Sequence, residues 1–193
     1  METKEYRRFA EFCDACRRYR YIRLCHGPPG AGKSLSALHY AQWEAVEPVF
    51  LPSTASLSTL HHGPTLPAAA RSFTPPTTTT PKRLETELHQ LCFSLHYLMA
   101  AAHDAEEEPH HPHFDDGWTE LVILDEADRL KFPTLEQLCD VYDRGHFGLV
   151  LVGMPGIEPR LSRYGQFHSR VGFVHQFRPL SAIAAPYVFC NLV

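Results

Sequence analysis

The chain has 193 residues, of which 44% are hydrophobic, and a formal net charge of −4. This apolar content is enough for one well-packed domain, and the negative balance argues against a surface that is basic all round. No apolar run approaches the 18 residues of a membrane-spanning helix, and the charged N-terminus lacks the apolar stretch of a secretory signal. Membrane insertion and secretion are therefore not predicted.

The first predicted element is an amphipathic helix over residues 2–18. Phe9, Phe12, Cys13 and Cys16 fall on one stripe of this helix. The Cys13–Cys16 spacing is C-x-x-C, but the chain has no second pair at zinc-ligand spacing, so packing is the favoured interpretation. Arginines also cluster before residue 24, and a solvated helix face is a commoner meaning of such a cluster than a nucleic-acid contact. They are Arg7, Arg8, Arg17, Arg18, Arg20 and Arg23.

A short β-prone run, Tyr21 to Cys25, precedes a sequence that matches G-x-x-x-x-G-K-[ST] at every fixed position. Glycines let a backbone turn so that its N–H groups point at a phosphate, and a lysine reaches the β- and γ-phosphates. A serine hydroxyl is a hard ligand for Mg²⁺. The predicted nucleotide-binding residues are Gly27, Pro28, Pro29, Gly30, Ala31, Gly32, Lys33, Ser34 and Leu35, with Ser34 also a magnesium ligand.

A helix should follow from Ser34 to Trp43, with Leu35 and Leu38 on one face and Trp43 as a further candidate for that face. Strand, glycine loop and helix together are the context that a phosphate-binding loop requires, and a helix N-terminus favours an anion. Because the six cysteines are scattered and the site would use ATP, the sequence predicts reduced thiols in the cytoplasm.

Residues from about 51 to 80 are rich in Pro, Thr, Ser and Ala, which is typical of a low-complexity segment with little drive to fold. A second strand should lie nearby, and both Val49–Leu51 and Arg71–Thr74 are candidates. Residues 82–102 then form the clearest helix, because six apolar residues recur at helical spacing. They are Leu84, Leu88, Leu91, Leu95, Leu98 and Met99.

A polar stretch over 104–116 carries acidic residues and histidines, and Pro109 and Pro112 favour a surface loop over a metal-binding helix. Leu121 to Leu124 is then a continuous apolar run, as in a strand buried on both faces, and it ends in Asp125 and Glu126. Two carboxylates there are costly without a cation or hydrogen bonds. This predicts a Walker B motif on the strand adjacent to the loop, with Asp125 holding Mg²⁺ and Glu126 activating water.

The remaining elements are a helix over Thr134–Arg144, a strand over Phe147–Val152, a short helix over Pro155–Tyr164 and a last strand over Val171–Phe177. Strands that are wholly apolar and alternate with helices predict a parallel α/β sheet. We expect a three-layer α/β/α P-loop NTPase fold with five parallel strands.

Three segments of the chain resemble the AAA+ ATPase core: the loop at 27–34, the run at 121–126 and the stretch at 149–155. The order of elements and the stretch at 161–173 are similar to a narrower group within the ORC1-type branch, the bacterial transposition helper ATPases of the TniB-like and Mu-B-like kind. Asp125 to Asp128 also spells the tetrapeptide of DEAD-box RNA helicases, but no Ser-Ala-Thr follows the next strand.

The resemblance implies an AAA+ core over 1–181 that contains the low-complexity insertion, followed by a tail over 182–193 in which the helical lid is missing or truncated. It also favours Arg71–Thr74 as the second strand. It implies that Arg170 is an arginine finger acting on a neighbouring subunit, with Arg163 in reserve. The implied partners are ATP, Mg²⁺, further copies in a ring or filament, DNA and a transposase-like protein.

One departure from the AAA+ pattern lies at Met154, where relatives carry a polar residue that orients the attacking water. Two functions therefore stay open: an ATPase that controls assembly on DNA, and a non-hydrolysing switch that recruits a partner protein.

Overall fold

The computed structural model describes residues 3–42, 70–102 and 119–179. The helices are α1 (Lys4–Tyr19), α2 (Lys33–Tyr40), α3 (Pro81–Ala102), α4 (Phe132–Arg144), α5 (Ile157–Leu161) and α6 (Gly165–His168). The strands are β1 (Ile22–His26), β2 (Ala70–Phe73), β3 (Leu121–Leu124), β4 (Gly148–Gly153) and β5 (Val171–Gln176). A 3₁₀ turn, Ala127–Arg129, follows β3.

The five strands form one sheet in the order β2-β3-β4-β1-β5, and every pairing is parallel. Residues of the three central strands are almost wholly buried, as expected when helices cover both faces of a sheet. The edge strand β5 is largely exposed. The predicted fold class, a three-layer α/β/α P-loop NTPase fold, is confirmed.

Two apolar cores lie on opposite faces of the sheet, because successive strand residues point to opposite sides. On one face, Leu24 and Leu151 pack with Leu88 of α3 and Leu138 of α4. On the other face, Cys25 and Val152 pack with residues of α1 and α2.

Helix α1 matches its prediction in both bounds and packing. The Thr3 side chain accepts a hydrogen bond from the Tyr6 amide and so caps the N-terminus. Phe9, Cys13 and Cys16 are completely buried, which confirms that the C-x-x-C pair packs in the core. Burial raises the pKa of the Cys16 thiol to about 12.

Helix α2 turns small residues, and not its leucines, toward the sheet. Leu35 and Leu38 are 48% and 37% exposed, whereas Ser36 and Ala37 are buried. The physical reason is that a helix that starts directly from a loop at the carboxyl end of a strand lies close to the sheet, where small side chains fit.

The second strand is β2, at Ala70–Phe73, which agrees with the candidate that the resemblance favoured. Several expectations lie outside the described residues: Trp43, the strand candidate at Val49–Leu51, most of the low-complexity segment, the polar stretch at 104–116 and the tail at 182–193. Within the ranges that are described, no helix is long and apolar enough to cross a membrane.

Candidate functional site: a phosphate-binding loop facing a buried carboxylate

The glycine loop leaves the carboxyl end of β1, and Asp125 follows the carboxyl end of β3. These strands are not adjacent, because β4 lies between them, so the prediction of an adjacent strand was wrong. Strands in a sheet are about 4.8 Å apart, so β1 and β3 are separated by about twice that spacing. Side chains must therefore close the gap between the loop and Asp125.

Two glycines of the loop adopt backbone conformations that other residues rarely reach. Gly30 has a φ of 71° and Gly32 a φ of 96°, and a Cβ added to either would meet nothing within 4 Å. The open space on this side is what a cradle for a phosphate needs.

Gly27 is required for a different reason. A Cβ at Gly27 would lie 2.4 Å from the carbonyl oxygen of Phe177, just beyond β5. The first glycine of the motif therefore permits close packing against the edge strand, whereas the sequence suggested only that it bends the loop.

Lys33 is the first residue of α2 and is only 8% exposed. Its Nζ donates hydrogen bonds of 2.8 Å to the carbonyl oxygens of Gly27 and Pro28. The ammonium group is thus held inside the curve of the loop, where a bound anion would meet it. Of the remaining loop residues, Ala31 is buried and Pro29 is exposed.

Asp125 is 5% exposed, and the Ser34 side chain lies beside its carboxylate. Burial raises the pKa of Asp125, while the Ser34 hydroxyl and the charge of Lys33 oppose that rise. Its amide donates to the Phe73 carbonyl at 2.8 Å, which extends the β2–β3 pairing. A buried carboxylate beside a hydroxyl is a donor set that fits Mg²⁺.

Glu126 has a φ of 51°, a left-handed conformation that is uncommon outside glycine. Its amide donates a 2.8 Å hydrogen bond to Asp125 Oδ1. Its carboxylate is ion-paired with Arg129 at the end of the 3₁₀ turn.

Asp128 and Arg160 were missed by the sequence analysis as parts of this region. Asp128 Oδ1 accepts a 3.2 Å hydrogen bond from the Met154 amide, at the end of β4. The Arg160 guanidinium, on α5, donates to the carbonyl oxygens of Asp128 and Leu130. Asp128 was visible in the Asp-Glu-Ala-Asp tetrapeptide, but nothing local in the sequence links Arg160 to it.

Arg170 precedes β5, at the opposite end of this parallel strand from the loop. It forms a two-pronged ion pair with Asp143 of α4, with N–O distances of 2.9 and 2.7 Å. Within one chain its charge is therefore balanced on the surface, and a role in trans stays a prediction. Arg163 is exposed.

The fold and the loop define a P-loop nucleotide-binding protein. A comparison with protein families matches residues 16–161 to the AAA domain. The chain belongs to this family, so the expected AAA assignment is confirmed.

A curated relative gives a longer match. The chain is 40% identical over 190 residues to a "Potential ATP-binding protein" of Staphylococcus aureus, which covers 94% of this chain and 68% of the relative.

One solved structure adds support for the fold alone, and a second form of the same protein is also similar. The ORC2 protein of Aeropyrum pernix, in ADPNP–ADP complexes, superposes with a TM-score of 0.53 at 15% identity, over 98% of this chain and 52% of that one. Its ADP form has a TM-score of 0.48 at 14% identity, over 93% and 50%. The chain thus spans about half the length of the ORC2 protein.

Proposed function

We propose that this protein binds ATP at residues 27–35 and hydrolyses it with Mg²⁺, and that its nucleotide state controls assembly with DNA and a transposase-like partner. The observation that supports ATP binding and hydrolysis most is the Lys33 ammonium, which the Gly27 and Pro28 carbonyl oxygens hold inside the curve of the loop, together with the buried Asp125 carboxylate. AAA family membership and the name of the Staphylococcus aureus relative support the choice of ATP.

Each residue has a role that follows from its chemistry. The loop amides and Lys33 bind the phosphates, while Ser34 and Asp125 hold the magnesium ion. When bound, magnesium would neutralise the negative charge that develops on the phosphate oxygens. Glu126 orients the attacking water and accepts its proton.

The assembly half of the proposal rests on the resemblance. Arg170 would stabilise phosphate charge in a neighbouring subunit, which requires a homo-oligomeric ring or filament. The division into a core at 1–181 and a tail at 182–193 is proposed on the same basis. A cytoplasmic location is proposed because the six cysteines are scattered and the site would use ATP.

Phosphate release tests the enzymatic half. We expect Glu126→Gln to lower turnover by about 10²–10⁴-fold, the usual contribution of a general base, with ATP affinity kept. Glu11→Gln removes an exposed carboxylate on α1 and serves as the matched control. Equal turnover in Glu126→Gln and the wild type would remove Glu126 from the mechanism.

The second candidate is a non-hydrolysing switch, and Met154 favours it. This thioether stands at the carboxyl end of β4, between the two halves of the site, where a polar side chain would help to orient water. The switch predicts thermal stabilisation by ATP and Mg²⁺ with turnover at background, and Lys33→Ala should abolish that stabilisation.

A further inference from the structure

The carboxyl end of β4 lies between the strand that leads into the phosphate-binding loop and the strand that ends in Asp125. A group at this position therefore stands between the two halves of the proposed site. The chain places Met154 directly after β4, and a thioether is only a weak hydrogen-bond acceptor. The carboxylate oxygen that lies there comes instead from Asp128, in the turn after β3.

Two hydrogen bonds and one glycine place Asp128 at the end of β4. Its Oδ1 atom accepts a 3.2 Å hydrogen bond from the Met154 amide, and its main-chain carbonyl oxygen accepts one from the Arg160 guanidinium. Gly153 leaves room for the carboxylate, because a Cβ at that position would lie 3.0 Å from Oδ1. The position of Asp128 is thus fixed by residues of β4 and α5.

These contacts use only one of the two carboxylate oxygens of Asp128. Within the part of the chain that the structure describes, no donor reaches Oδ2 and no cation pairs with this carboxylate. The residue is half-buried, so one side of it still faces solvent. Oδ2 is therefore an acceptor that a water molecule can reach.

The charge of Asp128 also acts on the proposed magnesium ligand. Burial is the main cause of the raised pKa of Asp125, and the negative charge of Asp128 raises that pKa further. Charge interactions weaken with distance and are screened by water, so the two carboxylates share one electrostatic environment. Asp128 thus belongs to the proposed site, although the sequence motifs give it no role there.

We propose that Asp128 orients the attacking water at the position where Met154 offers no strong acceptor. This proposal rests on the hydrolytic function proposed above. A water molecule has two hydrogens: one is transferred as the proton to Glu126, and the other donates a hydrogen bond to Asp128 Oδ2. The lone pair of the water oxygen then forms the new bond to phosphorus, and the bond to the leaving oxygen of ADP breaks with its electron pair on that oxygen.

Asp128→Asn separates this role from a purely structural one. Asparagine keeps an oxygen for the Met154 amide but puts an NH₂ donor where Oδ2 stood, so the fold keeps its contact while the water loses its acceptor. At saturating ATP and Mg²⁺, kcat should fall by about 10- to 100-fold, the size of effect of one hydrogen bond to a charged group. ATP affinity and melting temperature should stay close to those of the wild type.

A second substitution gives a readout that a merely structural role would not produce. Met154→Gln in the Asp128→Asn background brings an amide oxygen to the end of β4 on a side chain of similar length, so part of the lost turnover should return. Asp140→Asn removes an exposed carboxylate on α4 and serves as the matched control. It should alter neither turnover nor melting temperature.

The outcomes distinguish failure of this role from failure of the proposed function. Equal turnover in Asp128→Asn and the wild type, with the wild type faster than Glu126→Gln, refutes the role of Asp128 alone. A loss of kcat that is accompanied by a lower melting temperature, or that Met154→Gln does not partly restore, refutes it as well. If the wild type turns over no faster than Glu126→Gln, the hydrolytic function fails, and the role of Asp128 fails with it.

Discussion

Replacing Gly27 by alanine tests why the phosphate-binding motif begins with glycine. The new Cβ would lie 2.4 Å from the Phe177 carbonyl oxygen, whereas ordinary contacts begin near 3.4 Å. The two segments cannot simply separate, because the Phe177 amide bonds the His26 carbonyl at 2.8 Å and the Gly27 amide bonds the Gly153 carbonyl at 3.4 Å. The clash is therefore with fixed backbone.

The size of the effect follows from that shortfall of about 1 Å. Overpacking of this kind costs about 1–3 kcal/mol, and the lower chain entropy of unfolded alanine returns about 0.4–1 kcal/mol. For a chain of this length each kcal/mol shifts the melting temperature by about 2–4 °C. We expect Gly27→Ala to melt several degrees below the wild type.

Calorimetric unfolding of three alanine variants isolates the cause. Gly30→Ala meets no atom but is strained by its φ of 71°, and Gly165→Ala has neither problem. Gly165→Ala should melt at or slightly above the wild-type temperature. If Gly27→Ala and Gly165→Ala have the same melting temperature, close packing against Phe177 is not what requires glycine at position 27.

Further predictions concern charged groups. Burial raises the pKa of Asp125, so its negative charge lowers the stability of the fold at neutral pH. Asp125→Asn should therefore have a higher melting temperature than the wild type at pH 7. In thermal melts, this difference in melting temperature should shrink as the pH falls. Desolvation lowers the pKa of His175, so the wild type should lose stability as the pH falls below about 6.5. In the same thermal melts, the melting temperature of His175→Phe should fall less over this pH range. Arg170→Ala should lower turnover by about 10³-fold or more if it acts in trans. Asp143→Ala should not, and equal losses in these two variants would assign Arg170 to the salt bridge instead.

Local chemistry explains why much of the site could be predicted. A glycine loop with lysine and serine, and a buried apolar strand ending in acids, each need only short-range sequence to be recognised. The buried stripe of α1 could be predicted in the same way, as could Leu84 and Leu88 of α3, because helical periodicity is a local pattern. By contrast, the spacing of Leu35 and Leu38 in α2 does not reveal that small residues of this helix face the sheet.

The sequence by itself predicted most of the elements, their parallel α/β class and the residues proposed for phosphate and metal binding, because these depend on neighbours along the chain. Only the tertiary structure decided that β4 separates β1 from β3, that Gly27 accommodates Phe177, and that Arg160 binds the turn after β3. The sequence of a uniformly apolar strand does not indicate which strands it pairs with. Their order is settled by how all the side chains pack at once, and the contacts of Arg160 follow from that order.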